Sequence, residues 1–348
     1  MKTNSIVLKS VVRWVLYFGL GTTSYLKTVS CSSTSDANEE KAAEDTETKK
    51  EDKKDAKEGA VEQNENKVFG EQVFIITTLS NELALEGSVG INTLNGAISS
   101  IEELVKKDDT NVNLLVTYMT LLRLNKENPD TYRNIQRRAG GIGAKNPWFL
   151  IESAYNALTR KEFSMAEYLL DKALRISQGN QEVKSAVSHA FGIRYWEAGR
   201  RQQAIFEMRK SATANPPYLP SALTLGFLAL KAGDAEGATS YFRSVLNVLP
   251  MSVNARLGLA TALRARGKHE EAMPLIQALY KQKSNDRRIL WNYALLLSDK
   301  PEHRKEAIEV LNKYFQTPGT IENIDNRAND LLTKLNSMPV GAAGSSGK

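Results

Sequence analysis

Between Gln181 and Ser284 one pattern recurs three times at an interval of 34 residues. The first copy runs Ser188, Phe191, Gly192, Tyr195, then Gly199, Ala204, Met208, Ser211 and Pro216. The second runs Ala222, Leu225, Gly226, Ala229, then Gly233, Ala238, Phe242, Val245 and Pro250. The third runs Arg256, Leu259, Ala260, Leu263, then Gly267, Ala272, Ile276 and Leu279, with Ser284 where the prolines stood. A period of this length requires the same small unit in every copy, stacked on its neighbours. Within each copy the three- and four-residue spacings predict two helices. Gly199, Gly233 and Gly267 lie between them, and glycine tolerates the positive φ of a tight turn. Small residues at Gly192, Gly226 and Ala260, and at Ala204, Ala238 and Ala272, predict close backbone approach within each pair. Larger residues such as Tyr195, Leu225, Phe242 and Ile276 are expected to fill the space between pairs. Pro216 and Pro250 are expected to end the second helices. One such unit cannot bury its apolar face alone, so several must stack.

This pattern resembles the tetratricopeptide repeat, a helix–turn–helix unit of that period. The resemblance implies an all-α solenoid of about five to seven repeats. Upstream, Pro147 is expected to open a unit whose first helix carries Leu150, Ala154 and Ala157. Its second helix carries Ala166, Leu170 and Ala173, and four excess residues fall in the loop Ser177–Asn180. Residues 67–143 read as degenerate repeats: Ala97, Ile101 and Leu104 suit a second helix, and Leu115, Tyr118, Met119 and Leu122 a first. Pro129–Arg138 would be the partner of that first helix, with Thr131 in place of the small residue. Ala139–Gly143 reads as a loop; this glycine cluster lacks the preceding strand and following Lys-Ser/Thr of a phosphate site. Residues 144–320 form the main array. Its last unit runs from Leu290 to Tyr314, with one residue inserted at Ser298–Pro301. In 321–337, a helix from Asn326 to Ser337 is expected to cap the array through Leu331, Leu332 and Leu335. Residues 338–348 read as a disordered tail.

The N-terminus has a different character. Residues 1–30 resemble a secretory signal: Lys2, Lys9 and Arg13 precede the apolar run Trp14–Leu20, which is shorter than the ~20 residues a bilayer span needs. Cys31, the single cysteine, closes this segment and excludes an internal disulfide. Its placement resembles a bacterial lipobox, although Thr28 stands where leucine is usual. Lipidation of Cys31 is therefore expected, with an uncleaved anchor or a free thiol as the alternatives. Ser32 implies, by the same resemblance, passage to the outer membrane. Residues 31–66 follow as a charged tether without aromatics, too polar to offset its ordering entropy. As a coil it would reach roughly 30 Å.

No catalytic or cofactor-binding residues are expected. His189, His269 and His303 lack metal-ligand spacing, and there is no nucleophile elbow, P-loop or dinucleotide fingerprint. The net charge of +6 is mild, and no basic cluster is interleaved with aromatics, which argues against nucleic acid. No small-molecule substrate is implied, and the chain does not read as an enzyme. The expected partner is a protein. By the family resemblance, first helices line a concave groove carrying Trp148, Ile151, Tyr155, Leu158, His189, Ile193, Trp196, Leu223, Phe227, Leu230, Leu257, Thr261, Trp291 and Leu295. Lys231, Arg264 and Arg288 stand at its rim. Ile151, Tyr155, Ile193 and Leu223 replace the polar clamp of chaperone-tail binders, so an apolar helix or peptide is the expected ligand. The competing reading makes these residues core, covered by a terminal helix or by tight superhelical closure. The order signal, cysteine, tether and repeats resembles envelope lipoproteins serving pilus and gliding machineries, including pilotins. It implies a lipid-anchored, periplasm-facing scaffold. The alternatives are an adaptor for outer-membrane protein assembly or proteolysis, and a cytoplasmic co-chaperone.

Overall fold

The structure, a computed structural model, describes residues 91–126, 128–319 and 321–338. The signal, Cys31, the tether and residues 67–90 lie outside the described residues, as does all of the tail but Met338. Fourteen α-helices and no strand occur among the described residues. They are α1 (Ile91–Lys107), α2 (Val112–Asn125), α3 (Pro129–Gly143), α4 (Pro147–Thr159), α5 (Phe163–Ile176), α6 (Gln181–Glu197) and α7 (Arg201–Ala212). There follow α8 (Leu219–Ala232), α9 (Ala235–Val248), α10 (Val253–Ala265), α11 (His269–Gln282), α12 (Arg287–Ser298), α13 (Arg304–Gln316) and α14 (Glu322–Ser337).

The helices pair as α2/α3 through α12/α13, with α1 before the first pair and α14 after the last. Each first helix packs on its own partner and on the second helix before it. This makes two layers of different character. The even-numbered helices α2 to α12 are buried along most of their length. The outer helices bury a single stripe, such as Ala166, Leu170 and Ala173 of α5, or Ala272, Ile276 and Leu279 of α11. The small residues act as expected. A Cβ on Gly192 would stand 2.6 Å from Met208 Cγ, and one on Gly226 would stand 2.7 Å from the Phe242 ring. Gly258 faces the same ring from the next unit, at 2.4 Å. Phe242 is thus wedged between two glycine backbones, which fixes the spacing of two units.

Four local expectations are corrected. Ala139–Gly143 is not a loop but the last turn of α3. Ala139 is fully buried, Phe149 packs on Gly140, and a Cβ at Gly143 would collide with Val112 at 2.5 Å, so the glycines serve close packing. The four excess residues do not lengthen the loop before α6: four residues connect α5 to α6 and also α9 to α10. The excess is one added helical turn, making α6 17 residues long against 13 in α4 and 14 in α8. Its N-cap is Asn180, whose side chain accepts from the backbone N–H groups of Glu182 and Val183. Pro216 does not end α7, which stops at Ala212, whereas Pro250 follows α9 by two residues. The final helix begins at Glu322 and buries Ile324, Ala328 and Leu335, while Leu331 and Leu332 are half-buried.

Candidate functional site

The side chains assigned to the groove are largely buried. Ile151, Tyr155, Leu158, His189, Ile193 and Leu223 are completely inaccessible, and Trp148, Phe227, Leu257 and Trp291 are buried. Trp196, Leu230, Thr261 and Leu295 are half-buried. Contacts between neighbouring helices account for part of this. The Arg123 guanidinium lies 5.2 Å from the centre of the Tyr155 ring, the His189 ring is 5.2 Å from that of Tyr218, and Phe227 meets Phe242 edge-on at 5.0 Å. The rim is engaged as well. Arg264 donates two hydrogen bonds to Asp299 at 2.6 and 2.8 Å, and Arg288 donates to Asp286 and to Asn254. Lys231 is exposed.

Polar groups that sequence reasoning missed lie within this inner layer. Arg123 donates to both carboxylate oxygens of Glu152, at 2.6 and 3.0 Å, and Thr120 donates to the same carboxylate. Both charged side chains are buried, so each neutralises a partner that water cannot reach. His189 Nδ1 lies 2.8 Å from Ser221 Oγ, and burial pushes the imidazole pKa down to about 3. Among the described residues no group of His, Cys, Asp and Glu is arranged to hold a metal ion.

An accessible recess lies instead on the outer side, where α5 and α7 part over α6. Its volume is about 490 Å³, within the usual range for ligand pockets. Phe191 and Tyr195 line it with near-parallel rings 6.2 Å apart. The added turn of α6 supplies Gln181 and Lys184, α5 supplies Leu174, and α7 supplies Glu207 and Lys210. The outer helices carry large exposed apolar side chains, Met165 and Tyr168 on α5 and Phe206 on α7. Tyr168 and Phe206 each stand two residues beyond the small residue of their helix, Ala166 and Ala204, hence at equivalent places in adjacent units. Arg201, Arg209 and Lys210 of α7 outnumber its one acidic residue, Glu207, so this face is locally basic. The four-residue departure from the period was the sequence signal for this site. Read as loop length, it pointed nowhere.

A tetratricopeptide repeat family profile matches residues 229–296. No curated protein matches the sequence. Among solved structures, the chain is similar to one in the APC/C hetero-tetramer Cut9-Hcn1, with TM-score 0.51 and 16% identity, covering 74% of this chain and 48% of that one. It is similar to human IFIT1, solved as a dimer with m7Gppp-AAAA, with TM-score 0.51 and 17% identity, covering 74% of this chain and 61% of that one. PilW, described as a widely conserved type IV pilus biogenesis factor, aligns with TM-score 0.41 and 18% identity, covering 57% of this chain and 90% of that one. At these identities the likeness concerns the fold alone. The recurring pairs of α2 to α13, the wedged small residues and the matching profile together make the described array a tetratricopeptide-repeat solenoid, a scaffold for protein–protein interaction.

Proposed function

We propose that this chain is a membrane-tethered adaptor of the cell envelope, anchored in the outer membrane by lipid on Cys31 and facing the periplasm. Its partner is a protein of an envelope complex, and the motility machineries, type IV pilus or gliding, are the assemblies that its sequence architecture resembles. The observation that carries the reading is the outer recess, an aromatic-lined cavity with Lys184 and Lys210 exposed beside it. Its chemistry suits an acidic partner segment that sets an apolar side chain against Phe191 and Tyr195. Aromatic contacts of this kind dominate most interfaces, while flanking charges steer the encounter.

The test combines two measurements on the full chain in its cell. Lys184→Glu together with Lys210→Glu should abolish recovery of the cross-linked partner. Stability should change by less than ~0.5 kcal/mol, because both side chains are exposed. Undiminished recovery would remove the recess from the mechanism. The mature protein should have a mass that starts at Cys31 and includes acyl chains, since two chains anchor stably where one is marginal. A mass that begins upstream, with no lipid, would overturn the tether and leave the scaffold without its envelope address.

A further inference from the structure

Each first helix runs out and its partner runs back, so the turns within units fall at one edge of the array and the connections between units at the other. The two edges differ in charge. From α5 to α12 the between-unit edge carries the exposed cations Arg175, Lys184, Arg209, Lys210, Lys281 and Lys283. The carboxylates that share it are Glu182 and Asp286, and Asp286 accepts from Arg288 at 2.6 Å. From α4 to α11 the opposite edge mixes its cations with Glu162, Glu197, Asp234, Glu236, Glu270 and Glu271. Helix dipoles do not explain the difference. They favour cations at the C-terminal ends of the second helices, but equally carboxylates at the N-terminal ends of the first helices, which share the between-unit edge. Yet α8, α10 and α12 have no acidic residue in their first turn. Apolar side chains protrude from the same edge. Val248 and Met251, on either side of the start of the α9–α10 connection, are 48% and 59% exposed. Arg256 holds this loop, donating to the Pro250 carbonyl at 2.6 Å and to Met251 Sδ at 2.9 Å. Neither apolar side chain lines the outer recess.

We propose that this edge docks on an anionic lipid surface, with Val248 and Met251 entering the headgroup layer and the cations on either side meeting acidic headgroups. The order along the array suits such a contact. The apolar α9–α10 connection follows the basic α5–α6 and α7–α8 connections and precedes the basic α11–α12 connection. Lysine and arginine are attracted by the negative surface potential of a membrane, within a Debye length of about 10 Å. Apolar side chains that enter the headgroup boundary add the gain of leaving water. Cations spread over several connections match a surface that is itself evenly charged, whereas one acidic peptide is matched by cations gathered about a single cavity. The inference goes beyond the adaptor reading and stands without it: it needs a lipid surface within reach, not the lipid on Cys31. Lys184 and Lys210 also border the outer recess, so the test leaves both unaltered.

The test places a small fluorescent amino acid in the full chain at Asn247, beside the apolar loop, or at Gln202, on the opposite edge; both side chains are exposed. Each protein is mixed with vesicles of phosphatidylcholine and phosphatidylglycerol that carry spin-labelled lipid, and with the same vesicles lacking phosphatidylglycerol. On the anionic vesicles the label at Asn247 should be quenched at least about threefold more than that at Gln202, and on the neutral ones no more than it. Arg175→Gln, Arg209→Gln and Lys281→Gln together should remove the contrast, as should Val248→Gln with Met251→Gln. Should the apolar pair fail to fold, the charge variant carries the same reading. The labels report which edge faces the lipid, so a chain held only through its N-terminus quenches both alike, while loss of the tether leaves the contrast in place. Equal quenching at the two positions, or a contrast that persists on neutral vesicles or in the charge variant, overturns the proposal. Quenching at neither position also overturns it and leaves the basic edge to an acidic protein.

Discussion

His189 is held neutral by its surroundings. Its ring is fully buried, tilted against Tyr218, with Nδ1 on the Ser221 hydroxyl. Burial depresses its pKa from 6.5 to about 3, because the charged form would lose its hydration. The unfolded chain takes up this proton near pH 6.5, whereas the folded chain does so only near 3. The contribution is therefore complete above pH 6.5 and is lost progressively as pH falls toward 3. Between pH 6.5 and 5.5 the loss is about 1 kcal/mol, a window in which ordinary carboxylates scarcely titrate. Denaturant unfolding at the two pH values should show this difference in the native protein and a flatter response in His189→Gln. Equal pH dependence of the two proteins would mean that the ring is charged or reached by water. The pair Arg123–Glu152 teaches a related lesson. Its members stand 29 residues apart, and neither occupies a place that the repeat pattern marks.

At the scale of the element, one turn position recurs through the array. Lys126, Lys161, Gly199, Gly233 and Gly267 each stand eleven residues beyond the first marked position of their unit, and each has positive φ, between 62° and 84°. Glycine adopts this conformation freely, while lysine meets a steric cost of roughly 1–2 kcal/mol. Lys161→Gly should therefore raise the denaturant midpoint, by up to ~1 kcal/mol after the extra freedom of the unfolded glycine is counted. Gly233→Ala should lower it by ~1 kcal/mol. A Lys161→Gly variant less stable than the parent would show that contacts of the lysine side chain, not backbone geometry, hold that turn. The period made the hairpins legible wherever glycine marked the turn, and hid the same turn where lysine did. It also failed at Ala139–Gly143, where local breaker residues are overruled by the packing of Phe149 and Val112 on bare backbone. The outer recess was illegible for another reason. A count of excess residues does not say whether they enter a loop or, as in α6, a helix. The inner face was legible as apolar, yet a pattern of apolar residues does not say whether water or protein faces them.

Among the described residues the array is held mainly by contacts between neighbours in sequence, so its stability is largely a sum of local terms. The C-terminal end shows how such an array is closed. Arg287 of α12 donates to the backbone carbonyls of Tyr314 and Thr317, at 3.0 and 2.6 Å, and to Asp325 of α14. Its guanidinium also lies 3.9 Å from the centre of the Tyr314 ring, and the Tyr314 hydroxyl donates to the same aspartate. One side chain thus joins three helices, satisfying carbonyls at the end of α13 while pinning α14 over α12 and α13. Arg287→Ala removes one donor from each of those groups and the link between the three helices, at a cost of ~1–3 kcal/mol. In a globule with a single core that loss would weaken every element alike. In a nearest-neighbour array it should stay at its end, because the main helix contacts join adjoining units. Native-state hydrogen exchange should then show the amides of α12, α13 and α14 exchanging faster in the variant, with those of α4, α6 and α8 unchanged. Uniform acceleration along the chain would show that the units unfold as one, and that coupling along the array exceeds the stability of any single pair.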